Sequence, residues 1–140
     1  MTNLSKLRDE HAELLRITRR LGSLIIQPTP PPQLHLFAIR HQLSATLIAH
    51  LKAEDWLLYP PLMASADAYV AATARAFSEE MGGLAEAYRG YCEAWSADAI
   101  TADWSGYCRT SRDLIDALTK RITRENRELF PLLETLADAA

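Results

Sequence analysis

The sequence predicts an all-α protein folded as an up-down-up-down four-helix bundle. Apolar residues recur at alternating three- and four-residue steps through four long stretches, the spacing that lines one face of a helix. Only five of the 140 residues are glycine, while alanine and leucine are abundant. No stretch combines apolar–polar alternation with β-branched residues, so no strand is expected. Four amphipathic helices joined by short connectors suit a single bundle domain spanning residues 1–140.

The first helix is expected over about Asn3 to Ile26, with Leu4, Leu7, His11, Leu14, Thr18, Leu21 and Ile25 on one face. It stops at Pro28, Pro30, Pro31 and Pro32, which cannot continue a helix and stiffen the connector. The second is expected over about Gln33 to Tyr59, with a seam of Leu36, Leu43, Leu47, His50, Glu54 and Leu57. The Tyr59-Pro60-Pro61-Leu62 run should kink or end it. The third covers about Asp67 to Ala94, with Val70, Ala74, Phe77, Met81, Leu84, Tyr88 and Tyr91 inward. The Gly82-Gly83 pair weakens it locally. Residues 96–106 read as a connector. The fourth covers about Asp103 to Leu136, with Tyr107, Leu114, Leu118, Arg121, Glu125 and Leu132 on its seam and a bend at Pro131.

The second and fourth helices share an internal repeat. HLKAEDWLLYP, from His50 to Pro60, aligns with RITRENRELFP, from Arg121 to Pro131. Glu54 matches Glu125, Leu58 matches Leu129, Tyr59 matches Phe130 and Pro60 matches Pro131, while His50 stands against Arg121. At nearly the same offset, DEHAEL around His11 echoes EEMGGL around Met81. The chain therefore reads as two similar helical hairpins. One half turns His11, His50 and Glu54 inward, and the other turns Met81, Arg121 and Glu125 inward.

Residues four apart on a helix lie one turn apart on one face, so His50 and Glu54 can aim at the same point. Polar groups on an apolar seam are costly unless satisfied. Metal coordination satisfies them, and imidazoles with carboxylates in a bundle core suit iron or manganese. The simpler alternative is a hydrogen-bonded core without metal.

The pattern resembles the hemerythrin-like family of HHE cation-binding domains over nearly the whole chain. The residues that carry it are His11 in RDEHAELLR, His50 and Glu54 in HLKAEDWLLYP, and Glu125 with the Phe-Pro of RENRELFPLLE. The resemblance implies a non-haem di-iron centre bridged by Glu54 and Glu125, with His11 and His50 as terminal ligands of one iron. The other iron's ligands would fall at Met81 and Arg121, and neither is a histidine. His41 lies about half a turn out of phase with His50, and His35 lies roughly 22 Å away along the helix, so neither restores the set.

One iron site is thus dismantled and the other nearly whole. A guanidinium stays charged and can bond two carboxylates, so Arg121 between Glu54 and Glu125 would replace the missing cation. Met81 would fill space as an adaptable apolar side chain. Three outcomes stay open: a metal-free core, a mononuclear site with a single iron, or a di-iron centre in which Glu80, Glu86 or Glu128 substitutes as a ligand.

The remaining features narrow the function class. Fifteen basic and 18 acidic residues give a net charge of -3, which disfavours a nucleic-acid surface. The basic clusters around Arg16, Arg19 and Arg20 and from Lys120 to Arg127 read as solvated helix faces. No apolar run has the length of a membrane span and the first residues lack a signal-peptide layout, so a cytoplasmic protein is expected. Cys92 and Cys108 form no metal knuckle or redox pair. No nucleophile triad or phosphate loop appears, so an enzyme is not expected. A regulatory or stress-linked binding or sensory domain fits better, with oxygen, nitric oxide or iron as the signal if the iron is functional. A metal-free interaction protein would instead need an exposed patch, for which Trp56, Trp95 and Trp104 are the candidates. A regulatory protein partner or a homodimer would serve either role.

Overall fold

The computed structural model describes residues 3–139. These are helical almost throughout, with no strand among them. Helix α1 runs Leu4–Ile25, and the Asn3 side chain caps it by accepting from the Lys6 amide. The proline-rich connector follows, and α2 (Gln33–Lys52) starts directly after Pro32. A π turn (Ala53–Leu58) continues α2 into the short α3 (Tyr59–Met63). Helices α4 (Ala68–Met81) and α5 (Leu84–Ala94) come next, then a one-turn α6 (Ala97–Ala102). Helix α7 (Trp104–Arg124) passes through a second π turn (Glu125–Leu129) into α8 (Phe130–Ala139).

Three of the four expected helices are therefore subdivided, each for a local reason. Pro60 and Pro131 neither end nor simply kink their helices. A proline ring clashes with the carbonyl four residues back and offers no N–H. Both segments answer by widening: the Tyr59 amide reaches back five residues to the Glu54 carbonyl, and the Phe130 amide to the Glu125 carbonyl. The extra residue shifts the register. Leu58 and Tyr59 turn inward, and Leu57, expected on the seam, is 67% exposed. In the repeat copy, Leu129 and Phe130 are buried.

The glycine pair breaks the third segment outright. A Cβ on Gly82 would lie 2.3 Å from the Ser78 carbonyl oxygen, so only glycine closes α4 there. The connector after Trp95 holds α6, capped by Ser96. Trp104 donates its indole N–H to the Gln27 carbonyl at 2.9 Å, and Trp95 and Trp104 pack on Tyr107. Neither tryptophan is the exposed patch considered above, whereas Trp56 is 69% exposed.

Helix α1 packs on α2 and α7, α5 on α7 and α2, and α3 on α4. The buried apolar side chains form two clusters. The larger joins Leu14 to Ile25 of α1 with the inner faces of α2, α5 and α7. The smaller holds Leu7, Leu58, Tyr59, Phe77, Met81, Leu129 and Phe130. His11, His50, Glu54, Arg121 and Glu125 lie where the two clusters meet, and all are buried. The two apolar clusters keep water from this polar layer.

Candidate metal centre

Four chain segments meet in the polar layer. His11 comes from the middle of α1, His50 from the last turn of α2, Glu54 from the first π turn and Glu125 from the second. His11 Nε2 lies 3.3 Å from Glu54 Oε2 and 3.1 Å from Glu125 Oε1. His50 Nε2 lies 3.2 Å from Glu54 Oε2. These four atoms are buried, have no hydrogen-bond partner, and lie within 4.8 Å of one another. Among the described residues, no other group of three or more His, Cys, Asp or Glu converges in this way.

The far side of each imidazole is fixed. His50 Nδ1 lies 2.8 Å from Glu10 Oε1, and His11 Nδ1 lies 2.7 Å from Asn126 Oδ1. Both partners are acceptors, so each Nδ1 carries the proton and each neutral ring offers its Nε2 lone pair to the centre. The His11 ring is further held by stacking on Phe130, with centroids 5.2 Å apart.

Arg121 divides each carboxylate in two. Its Nη2 donates to Glu54 Oε1 at 3.0 Å and to Asp55 Oδ1 at 2.7 Å. Its Nε donates to Glu125 Oε2 at 3.2 Å, where the Tyr59 hydroxyl also donates at 2.6 Å. Its Nη1 donates to the Met81 carbonyl at 3.3 Å, a group the break after α4 leaves outside a helix ladder. The guanidinium also sits 5.5 Å from the centre of the Tyr59 ring. One oxygen of each glutamate thus serves the arginine, and the other faces the histidines.

Two imidazole nitrogens and two carboxylate oxygens then converge as four lone pairs. Bare, they repel, and a cation among them would relieve that repulsion. Separations of 3.1–3.3 Å are those of adjacent donors round one ion held at about 2.0–2.2 Å. The donor set suits iron, manganese or zinc. The four residues could hold a metal ion, and Arg121 bonds the far oxygens of both glutamates.

A proton is the alternative cation. Burial by itself lowers the His11 pKa, but a proton on Nε2 would be shared with Glu125 and Glu54, and this, with the Glu54 charge, pushes it up to about 9. For His50, burial is likewise outweighed by Glu54, and its pKa is raised. Burial pushes Glu125 up to about 7, against the pull of His11, with the Glu54 charge adding to the rise. For Glu54 burial is outweighed by His11 and His50, which hold it well below the usual carboxylate range. Without metal, the centre holds imidazolium against carboxylate.

The residues considered as substitute ligands all lie elsewhere. Glu80 pairs with Lys120 at 2.9 Å and with Arg124, Glu86 pairs with Arg89, and Glu128 pairs with Arg124 at 2.9 Å, all at the surface. His35 and His41 are exposed.

Four residues of the site escaped sequence reasoning: Glu10, Asp55, Tyr59 and Asn126. Three of them adjoin a ligand position in the chain, as Glu10 adjoins His11, Asp55 adjoins Glu54, and Asn126 adjoins Glu125. A step of one residue rotates a side chain by about 100° on a helix, off its own seam. Each therefore reaches sideways to a neighbouring element. The partner of a ligand's free ring nitrogen typically contributes 10–100-fold in metal affinity. Glu10→Ala should accordingly weaken metal binding by about 10–100-fold while the fold stays intact, as competition against a chelator would measure. An unchanged affinity would remove Glu10 from the site.

The family model for the hemerythrin HHE cation-binding domain matches residues 2–133. No curated protein and no solved structure matches the chain.

Proposed function

The chain belongs to the hemerythrin HHE cation-binding domain family, and on that basis we propose that it binds a single metal ion, with iron the foremost candidate. The ligands are His11, His50, Glu54 and Glu125, and Arg121 takes the place of a second ion. The observation that carries this reading is the set of four buried, unpartnered donor atoms within 4.8 Å of one another. In the same reading the four long helical stretches are the legs of an up-down-up-down bundle, and the domain spans the chain.

A redox-active ion held by these imidazoles and carboxylates would supply one-electron chemistry towards a small ligand such as oxygen or nitric oxide. The chain supplies the rest. Glu10 and Asn126 fix the imidazoles, Tyr59 and Arg121 fix the carboxylates, and the apolar clusters exclude water. Arg121 adds a permanent positive charge beside the site and limits the metal charge it accepts. Reversible ligand binding between two irons has no place in this arrangement. A regulatory or sensory role follows, in which occupancy or redox state of the centre is read out through the π turns that carry Glu54 and Glu125.

The test is elemental analysis of untagged protein after anaerobic addition of ferrous iron and desalting. About one iron per chain is expected in the native protein, and close to none in His50→Ala. Arg121→His combined with Met81→His should raise the content towards two. A native chain that retains no metal while the double variant takes up iron would favour the second reading. In that reading the protonated His11 and Arg121 are the cations that face Glu54 and Glu125, and the domain acts through a protein partner. The observation that supports it is the close approach of His11 Nε2 to Glu125 Oε1 and Glu54 Oε2, at 3.1 and 3.3 Å.

A further inference from the structure

The four inward donor atoms of the polar centre are buried, so anything that reaches them from solvent passes a group that faces both ways. Among the described residues, Glu10, Asp55 and Asn126 are such groups. Each bonds a member of the centre, and each is only half-buried. They differ in charge and in what lies behind them.

Two approaches end on a cation. A cavity of about 540 Å³ between α2 and α5 is lined by Asp55, but that carboxylate is bonded to Arg121. A smaller cavity of about 280 Å³ is lined by Met81 and Lys120, and the Met81 carbonyl is again bonded to Arg121. A divalent cation meets a guanidinium behind either wall. Asn126 carries no charge, and the next residue in the chain, Arg127, is exposed.

A third cavity, about 360 Å³, lies between α1 and α2 and has a different back wall. Glu10 lines it and bonds a ligand directly, with Oε1 2.8 Å from His50 Nδ1. On the α2 side the residues immediately before His50 and Glu54 are Ala49 and Ala53, and both line the cavity. Neither has the bulk to close the gap to the ligand that follows it. At about 30 Å³ per water, a divalent ion with six waters needs roughly 200 Å³, which this cavity can hold.

We infer that this cavity is the entrance by which a divalent metal ion reaches the centre, with Glu10 as the acid that receives it and Lys6 as the charge that slows it. The inference rests on the metal-binding reading above. A cleft that carries charge of the opposite sign raises the local concentration of an ion and its rate of entry. Glu10 supplies that charge. Lys6, one turn before Glu10 on α1, lines the same cavity, is exposed, and opposes it. Lys6 and Ala49 are not ligands, so changing them alters the rate of entry and leaves the affinity of the centre as it was.

Stopped-flow mixing of the full chain with cobalt(II), whose visible absorption reports its coordination, measures the rate, and equilibrium dialysis measures the content. Lys6→Glu should speed uptake by about three- to tenfold at low salt and by less at high salt, with content unchanged. Ala49→Leu, which narrows the mouth, should slow uptake several-fold, again with content unchanged. Arg127→Glu makes the same change of net charge beside Asn126 and should leave the rate as it is. The inference is overturned, with the metal-binding reading left standing, by any of three results: Lys6→Glu no faster than native, Ala49→Leu no slower, or Arg127→Glu as fast as Lys6→Glu. A native chain that holds no cobalt at equilibrium overturns both.

Discussion

Arg121→Ala lowers the stability of the metal-free protein by about 3–5 kcal/mol, the cost of removing one partner from a buried ion pair. Arg121 is 1% exposed and holds Glu54, Asp55 and Glu125. Removing it leaves acids facing one another in a layer sealed between two apolar clusters. Two controls identify the cause as charge. Arg121→Lys keeps the charge but not the planar fork, so it should fall between native protein and alanine variant. Lowering the pH towards 5 should recover part of the loss in Arg121→Ala, because protonated carboxyls no longer need a cation. Urea unfolding in the presence of a chelator measures each value. Equal stability of native and alanine variant would end the view that Arg121 acts as an internal cation.

The same variant reports on the metal. With Arg121 gone, Glu54 Oε1 and Glu125 Oε2 lose their donor, and Tyr59 alone remains on Glu125. A divalent ion in excess then has an acidic hollow in which to bind. Zinc should stabilise Arg121→Ala by more than it stabilises the native chain.

The positions that build the site were legible in the sequence because they obey helical spacing and because the chain repeats itself. His11, His50, Glu54 and Glu125 lie on their seams, and the repeat sets Arg121 against His50. The structure places Arg121 in contact with both glutamates. The sequence did not disclose how the backbone meets Pro60 and Pro131. Proline signals interruption, and periodicity alone does not distinguish a break from a π turn. The misplaced seam at Leu57 follows from that, since one extra residue moves each later side chain round the helix. Glu10, Asp55 and Asn126 were missed for a related reason. Seam counting finds residues that point to the core of their own helix, and these three lean across to a neighbour. Their chemistry depends on tertiary placement, which spacing does not encode.

Stability should fall with rising pH without metal, and should not fall when metal is bound. In the metal-free chain the His11 pKa is about 9, against about 6.5 for an unfolded histidine. A raised pKa contributes stability that is fully present below the unfolded value and is lost as pH rises through the folded one. The His11 contribution, about 3 kcal/mol by the linkage relation, therefore disappears between about pH 6.5 and 9. Glu125, pushed up to about 7, has the same sign and loses its share over a lower range. Glu54 has the opposite sign, but its contribution is complete above the ordinary carboxylate range and stays flat here. Metal-free protein should thus weaken steadily from pH 5.5 to 8.5. A bound ion reverses the balance, because every ligand proton competes with it and the competition fades as pH rises. Excess zinc, a redox-silent probe, should leave stability level or rising over the same range, through the usual linkage of ligand affinity to folding. His11→Ala should make the metal-free curve shallower, leaving the smaller slope that the raised His50 and Glu125 contribute, and remove most of the zinc effect. Parallel curves with and without zinc would mean that protons, rather than a metal, are what the four donors were arranged to hold.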